Sequence, residues 1–150
     1  MNPIVTIHQA KSTDINDLVN LLKELCKVEE DFIFNERKQS KGLSLLLISE
    51  KNCIFLAKHN TEIVGMCTVQ TLISTAEGGS VGIIEDVVVH HDFVCKGVGR
   101  KLLSAVAEWS RAQKITRLQL LADRNNQHAL AFYEKLGWQK TQLIGLRKLI

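Results

Sequence analysis

A glycine-rich turn between an apolar strand and an amphipathic helix constrains this chain more than any other feature. The run Val81–Val89 is dominated by β-branched residues, which is typical of a strand covered on both faces. After a short loop comes the segment Cys95-Lys96-Gly97-Val98-Gly99-Arg100, and apolar spacing then predicts a helix from Val98 to about Lys114. A strand is predicted at Leu118–Ala122. Strand, crossover helix and strand in this order predict a parallel strand pair.

The rest of the chain supplies the remaining elements of an α/β (α+β) fold. The other predictions are a strand at Ile4–His8, a helix that begins after Asp14, a helix between Asn35 and Ile48, strands at Asn52–Ala57 and Ile63–Leu72, a helix at about Gln127–Leu136, and one or two terminal strands ending in Leu146–Ile150. The polar turn His59-Asn60-Thr61 predicts an antiparallel hairpin. We therefore expect a mixed, mostly antiparallel sheet with a central parallel strand pair and helices on both faces.

Length and composition exclude several classes of protein. With 150 residues, 45% of them apolar and 23% charged, the chain is expected to form a single domain, residues 1–150, with an ordinary core. The net charge of +3 is spread along the sequence, which argues against a nucleic-acid partner. No apolar stretch has the length of a membrane span, and the first residues lack the apolar centre of a secretory signal. A cytoplasmic location and no membrane partner are expected.

The cysteines indicate neither a metal site nor a disulfide framework. Cys26, Cys53, Cys67 and Cys95 are widely separated, with no Cys-x-x-Cys pair and no histidine at metal-ligand spacing. No metal is therefore expected. Histidine changes charge near neutral pH, but His90 and His91 follow the strand directly and are better interpreted as solvated loop residues.

The turn before the long helix has the composition of an anion site. Amides at a helix start have no internal partner and lie at the positive end of the helix dipole, and glycine lets an anion approach them. Lys96 and Arg100 add positive charge. The glycine spacing fits neither the P-loop nor the dinucleotide-binding fingerprint. Taken alone, Gly97 and Gly99 are also compatible with tight packing.

These motifs resemble the GNAT N-acetyltransferase superfamily, whose pyrophosphate loop reads Arg/Gln-x-x-Gly-x-Gly/Ala after a central strand. Gly97 and Gly99 match its glycines, Ile84 to Val89 its fourth strand, and Asn126 to Trp138 its second cofactor motif. The resemblance implies that acetyl-CoA is the cosubstrate. The implied coenzyme-binding residues are Val87, Val88 and Val89 along the pantetheine arm, the amides of Cys95, Lys96, Gly97, Val98, Gly99 and Arg100 around the pyrophosphate, and Asn126 at the pantetheine.

The sequence departs from the family pattern at two positions. Val94 stands where the family usually has Arg or Gln, and His91 stands where a proline is common after the strand. The amide contacts need no particular side chain. We therefore expect weaker coenzyme binding rather than none.

The resemblance also implies an acid and a base. Tyr133 is the single tyrosine of the chain and occupies the family's proton-donor position, although spacing alone favours a ring packed on the core. Glu85 stands in an apolar strand, where a buried carboxylate would be costly, and matches a proposed, often water-mediated, base. Its alternatives are to anchor a loop or to attract a cationic substrate. Strand alternation places Glu85 and Asp86 on opposite faces.

The leading hypothesis is an N-acetyltransferase that moves acetyl from acetyl-CoA to a primary amine of a small molecule or peptide by direct attack in a ternary complex. The alternative is a catalytically weak coenzyme-A-binding module with a regulatory or interaction role. The acidic run Glu29-Glu30-Asp31 fits either a cationic substrate or a solvated turn. The acceptor, the acyl length and whether the chain forms a homodimer stay open.

Overall fold

The computed structural model describes residues 2–29 and 31–150, so Glu30 of the acidic run lies outside the described residues. The helices are α1 (Ile15–Cys26), α2 (Glu36–Ile48), α3 (Val98–Ala112) and α4 (Gln127–Lys135), and the strands are β1 (Thr6–Gln9), β2 (Asn52–His59), β3 (Glu62–Ser74), β4 (Gly79–Val89) and β5 (Leu118–Leu120). The chain forms two compact units. The large unit extends to Gln119 and the small unit runs from Leu120 to Ile150.

The strands form one mixed sheet in the order β1-β2-β3-β4-β5. The first four pair antiparallel in sequence order, so the predicted hairpin of β2 and β3 is confirmed. β5 runs parallel to β4, because the crossover helix α3 returns the chain to the same end of the sheet. The predicted fold class is confirmed. The parallel pair lies at the end of the sheet rather than within it, since no strand follows β5 in the described residues.

Helices cover both faces of the sheet in the large unit. Leucines of α1 and α2 form a buried cluster with β-strand residues that include Met66 and Val88. A Cβ placed on the neighbouring residue Gly65 would instead lie 3.1 Å from Val98 Cγ1 and 3.2 Å from Leu102 Cδ1, both in α3. Successive strand residues point to opposite faces. The absence of a side chain at Gly65 therefore lets α3 pack closely on the face opposite α1 and α2.

Local signals define the helix ends. Asn35 caps α2 by accepting a hydrogen bond from the amide of Lys38, so the predicted second helix is confirmed despite Gly42 in its interior. Gly137, just past the end of α4, has a left-handed φ of 86°, and its amide donates to the carbonyl of Glu134. Within the described residues, no helix combines the length and apolarity needed to cross a bilayer.

The predicted terminal strands are wrong. Residues 139–150 contain no strand, and Leu143, Leu146 and Leu149 are 77%, 89% and 86% exposed. An apolar run forms a strand only when a neighbouring strand pairs with it and its side chains find a face to bury. Here these side chains are not buried, so apolarity alone was an insufficient signal.

Candidate active site

The turn before α3 has unpartnered amides at a helix start. Gly97, the N-cap residue, has φ 81° and makes no capping bond through a side chain. The first helical hydrogen bond is donated by Lys101 to the Gly97 carbonyl, at 3.1 Å. In residues 2–29 and 31–150, no protein group accepts a hydrogen bond from the amides of Val98, Gly99 or Arg100. Three amides at the positive end of a 15-residue helix make the geometry that an anion site requires.

The charged side chains of this turn lie in solvent. Lys96 and Arg100 are exposed, and Lys96 Nζ lies 5.5 Å from the centroid of the Phe93 ring. Val94, at the position of the family's Arg or Gln, is 40% exposed. A charged residue at this position would therefore face solvent rather than the core. Lys96 and Arg100 provide positive charge beside the amides of the turn, although residue 94 is uncharged.

A β-bulge interrupts the pairing of β4 with β3. Cys67 is opposite Val87 and Val69 is opposite Ile84, so Thr68 alone faces the two residues Glu85 and Asp86. Such a bulge bends the strand and redirects its side chains. The two carboxylates consequently have different surroundings, with Glu85 exposed and Asp86 partly buried.

Thr68 of β3 forms hydrogen bonds with both the side chain and the backbone amide of Asp86. Its hydroxyl donates to Asp86 Oδ2 at 3.0 Å and accepts from the Asp86 amide at 3.1 Å, and its side chain is fully buried. Burial raises the pKa of Asp86 from 3.8 to about 6, the hydrogen bond from Thr68 opposes this increase, and the charge of Glu85 adds to it. A carboxyl group with a pKa near the working pH is suited to accept a proton.

The sequence analysis selected Glu85 as the base and gave Asp86 no role. Glu85 accepts a hydrogen bond from Gln70 Nε2 at 3.3 Å in a solvent-exposed position. The available signal was Thr68, because it is the one hydroxyl-bearing residue in the buried run from Ile63 to Val69 and a buried hydroxyl requires a partner.

Two cysteine thiols interact electrostatically with the carboxyl group of Asp86. Burial raises the pKa of Cys67, and the negative charge of Asp86 raises it further. Burial followed by the charges of Glu29 and Asp86 raises the pKa of Cys26. These thiols stay protonated near neutral pH, which disfavours them as nucleophiles.

Among the described residues, no strand pairs with the second edge of β4 beyond the bulge. Val87, Val88 and Val89 pair with β3 on one side. On the other side, the link to β5 begins with the bonds from Gly82 N to Arg117 O and from Thr116 N to Ser80 O, and β5 has three residues. β5 is therefore too short to reach Val87–Val89. An extended ligand has backbone groups available there.

The small unit holds the other two predicted residues. Asn126 caps α4, since its Oδ1 accepts a hydrogen bond from the Ala129 amide at 3.0 Å. The Tyr133 ring lies 5.2 Å from the Phe132 ring and 5.9 Å from the Trp138 ring, measured between centroids. The predicted cap is confirmed, whereas the coenzyme contact of Asn126 and the acid role of Tyr133 stay predictions.

A Gly97→Val variant is expected to bind coenzyme A at least tenfold more weakly than the natural chain in calorimetry. A β-branched residue is strained at φ 81° and is pushed out of the conformation that presents the helix amides. Gly78→Val is the matched control, because Gly78 has φ 67° in the β3–β4 turn and equally open space for a Cβ. Equal losses of affinity in the two variants would show that the effect is general destabilisation.

The sequence matches an acetyltransferase family model over most of its length. The family model described as the acetyltransferase (GNAT) family matches residues 16–138. An uncharacterized N-acetyltransferase of Methanocaldococcus jannaschii is 21% identical over 141 residues, which are 93% of this chain but only 62% of that protein. The uncharacterized N-acetyltransferase YhfO of Bacillus subtilis is 25% identical over 139 residues, 91% of each chain.

Solved structures show the same fold. A transcriptional regulator from Bacillus halodurans C-125 has a TM-score of 0.85 and 25% identity, with 98% of this chain and 100% of that chain covered. An aminoglycoside acetyltransferase from an uncultured soil metagenomic sample, in complex with sisomicin, has a TM-score of 0.80 and 20% identity, with 97% and 96% covered. Because the family match spans most of the sequence and the sheet order agrees with it, this chain belongs to the acetyltransferase (GNAT) family.

Proposed function

We propose that this protein is an acetyl-CoA-dependent N-acetyltransferase of the cytoplasm that acts on a primary amine of a small molecule or peptide. The observation that carries the proposal is the set of unpartnered amides at the start of α3, on the chain that follows the open edge of β4. A diphosphate and an extended amide-containing arm are the groups that such a surface would bind. The N-acetyltransferase relatives support the same reaction.

The residues present fit acetyl-CoA. The amides from Cys95 to Arg100, together with Lys96 and Arg100 themselves, would hold the pyrophosphate, and Val87–Val89 would pair with the pantetheine arm. Each hydrogen bond to a charged group contributes about 1.5 to 3 kcal/mol, so three amides would supply much of the roughly 8 kcal/mol of a micromolar affinity. Bound acetyl-CoA supplies a thioester carbonyl that is open to direct attack by an amine in a ternary complex.

A carboxylate near the bulge would accept the proton of the amine. An alkylammonium ion has a pKa of about 10.4, so reaching its nucleophilic form at pH 7 costs about 4.6 kcal/mol. Asp86 is mostly ionised at pH 7 with a pKa of about 6, and it is held in place by Thr68. We assign the base role to this carboxylate pair, with Asp86 favoured by its burial over Glu85, the residue expected from sequence.

Tyr133 would act at the departing sulfur. A phenol of pKa about 10 transfers its proton to a thiolate of pKa about 8.5 at a cost of roughly 2 kcal/mol. The hydroxyl would therefore stabilise the sulfur by a hydrogen bond first and release its proton late. Packing against Phe132 and Trp138 would limit the movement of the ring during this step.

A regulatory role is the second candidate. One of the structural neighbours, at 25% identity, is described as a transcriptional regulator. A chain in this role would bind coenzyme A through the same amides without turnover.

Thiol release from acetyl-CoA, measured with polyamines, aminoglycosides, amino acids and peptide N-termini, separates the two functions. We expect at least one amine class to raise thiol release well above the rate without amine, with a matching acetylated product in mass spectrometry. The control is the same assay with Gly97→Val at a limiting coenzyme concentration. Tight coenzyme binding with no amine-dependent thiol release from any class would favour the regulator.

A further inference from the structure

A cluster of metal-ligating side chains lies in the large unit, apart from the bulge carboxylates. Glu24 comes from the last turn and a half of α1, and His90 and His91 directly follow β4. One ligand atom from each of the three residues lies within 4.8 Å of those of the other two. His91 Nδ1 is 3.3 Å from Glu24 Oε2, and the two imidazole rings stack with centroids 4.2 Å apart.

The donor set is the one that zinc uses. Two imidazoles and one carboxylate are a common protein ligand set for Zn²⁺, which binds nitrogen and oxygen at about 2.0 to 2.2 Å. In a tetrahedron with bonds of this length, neighbouring ligand atoms are about 3.3 Å apart. The distance from His91 Nδ1 to Glu24 Oε2 has this value, so the two atoms need little movement to share an ion.

Asp92 occupies the position of an outer partner. Its Oδ1 lies 3.3 Å from His91 Nε2, the ring nitrogen that does not face Glu24. A carboxylate on the far nitrogen of a ligating histidine fixes the tautomer and orientation of the ring and strengthens it as a ligand. His90 Nδ1 accepts a hydrogen bond from the Asp92 amide at 3.3 Å, and a metal ion bound by this nitrogen would replace that donor.

Packing holds the two halves of the cluster together. Leu21 and Leu22 of α1 are buried in the same core cluster as Val88 of β4, so the helix and the strand end have a fixed relation. Beside the cluster is a cavity of about 390 Å³, whose lining includes Glu24 and His90 together with Asp17 and Glu62. The cavity gives room for a water as a further ligand, and its carboxylates favour a cation.

We propose that Glu24, His90 and His91 bind one divalent metal ion and that the physiological ion is Zn²⁺. Asp92 positions His91 for this role. The site goes beyond acetyl transfer, which requires no metal in the mechanism above. The sequence predicted no metal because the cysteines form no Cys-x-x-Cys pair and have no nearby histidine at metal-ligand spacing. The fold brings Glu24 beside His91 from 67 residues earlier in the chain.

The test is calorimetric titration of the chelator-treated full chain with ZnCl₂, followed by thermal unfolding with and without the ion. We expect saturable binding of one ion per chain and a higher unfolding midpoint in its presence. Glu24→Gln and His91→Asn should each weaken binding at least tenfold, and Asp92→Asn about tenfold. Mg²⁺ should not compete, because it prefers oxygen ligands.

Three control variants address other sources of binding. His8→Asn and Glu36→Gln remove an exposed histidine and an exposed carboxylate elsewhere, and Cys95→Ser removes the exposed thiol of the neighbouring loop. All three should bind Zn²⁺ like the natural chain. Circular dichroism without metal checks that each variant is folded, and cobalt substitution provides a visible spectrum of the coordination. The proposal fails if the natural chain binds no ion saturably, or if the control variants lose affinity as much as Glu24→Gln.

Discussion

Replacing Asp86 with asparagine is expected to stabilise the protein at pH 8 by up to about 3 kcal/mol while lowering amine acetylation about 100-fold or more. The folded chain must keep Asp86 ionised at pH 8 in a site where burial has raised its pKa to about 6. Asparagine has nearly the same shape, and its carbonyl oxygen can still accept the hydrogen bond from Thr68. A residue whose removal stabilises the fold and impairs the reaction is held in place for function.

The direction of the pH dependence follows from proton uptake. The pKa of Asp86 is 3.8 in its reference state and about 6 in the folded chain, so between these values the folded chain binds more protons than the unfolded chain. Stability from this group is therefore greatest below pH 4, falls as the pH rises from about 4 to about 6, and stays reduced above 6. The difference of about 2 pH units corresponds to about 3 kcal/mol. Asp86→Asn should remove this part of the pH dependence in urea unfolding.

Glu85→Gln is the matched control for the activity of Asp86→Asn. It makes the same carboxyl-to-amide change on the adjacent residue, which is exposed and bonded to Gln70. If Asp86 is the base, Glu85→Gln keeps most of its turnover, and activity in the natural chain increases through about pH 6 as Asp86 loses its proton. A 100-fold loss in Glu85→Gln with turnover retained in Asp86→Asn would return the base role to Glu85.

The sequence predicted the parts of this protein that local residues determine. Gly97 needs a left-handed φ at a helix start, Asn126 caps α4, and the β-branched run before the turn forms β4, so each of these features depends on a few adjacent residues. The parallel pair followed from these elements because a helix of this length leaves the chain few other routes back to the sheet.

Features that depend on distant pairings were not predicted. Thr68 and Asp86 are 18 residues apart, and their contact requires the one-residue bulge that strand alternation does not indicate. Strand alternation predicted that Glu85 and Asp86 point to opposite faces of the sheet. It did not indicate which of the two carboxylates would be the more buried. Glu24 and His91 are 67 residues apart and meet only because α1 packs across β4. The terminal strands failed for the same reason, since apolar residues do not specify whether a partner edge is present.

Replacing Tyr133 with phenylalanine is expected to lower kcat for acetyl transfer about 100-fold at pH 7 and to leave coenzyme affinity within about twofold. Phenylalanine keeps the ring and therefore its contacts with Phe132 and Trp138. What is lost is the hydroxyl that would donate a hydrogen bond, and later a proton, to the departing sulfur.

The pH dependence of the Tyr133→Phe defect separates this role from packing. A thiolate needs no proton once the pH exceeds the thiol pKa of about 8.5, so the ratio of natural to variant kcat should fall as the pH increases from 7 to 9. Tyr133→Ala is the control for packing, because it also removes the ring and should lower the unfolding midpoint. A Tyr133→Phe variant with normal kcat at pH 7, beside a destabilised Tyr133→Ala, would restrict Tyr133 to a structural role in the small unit.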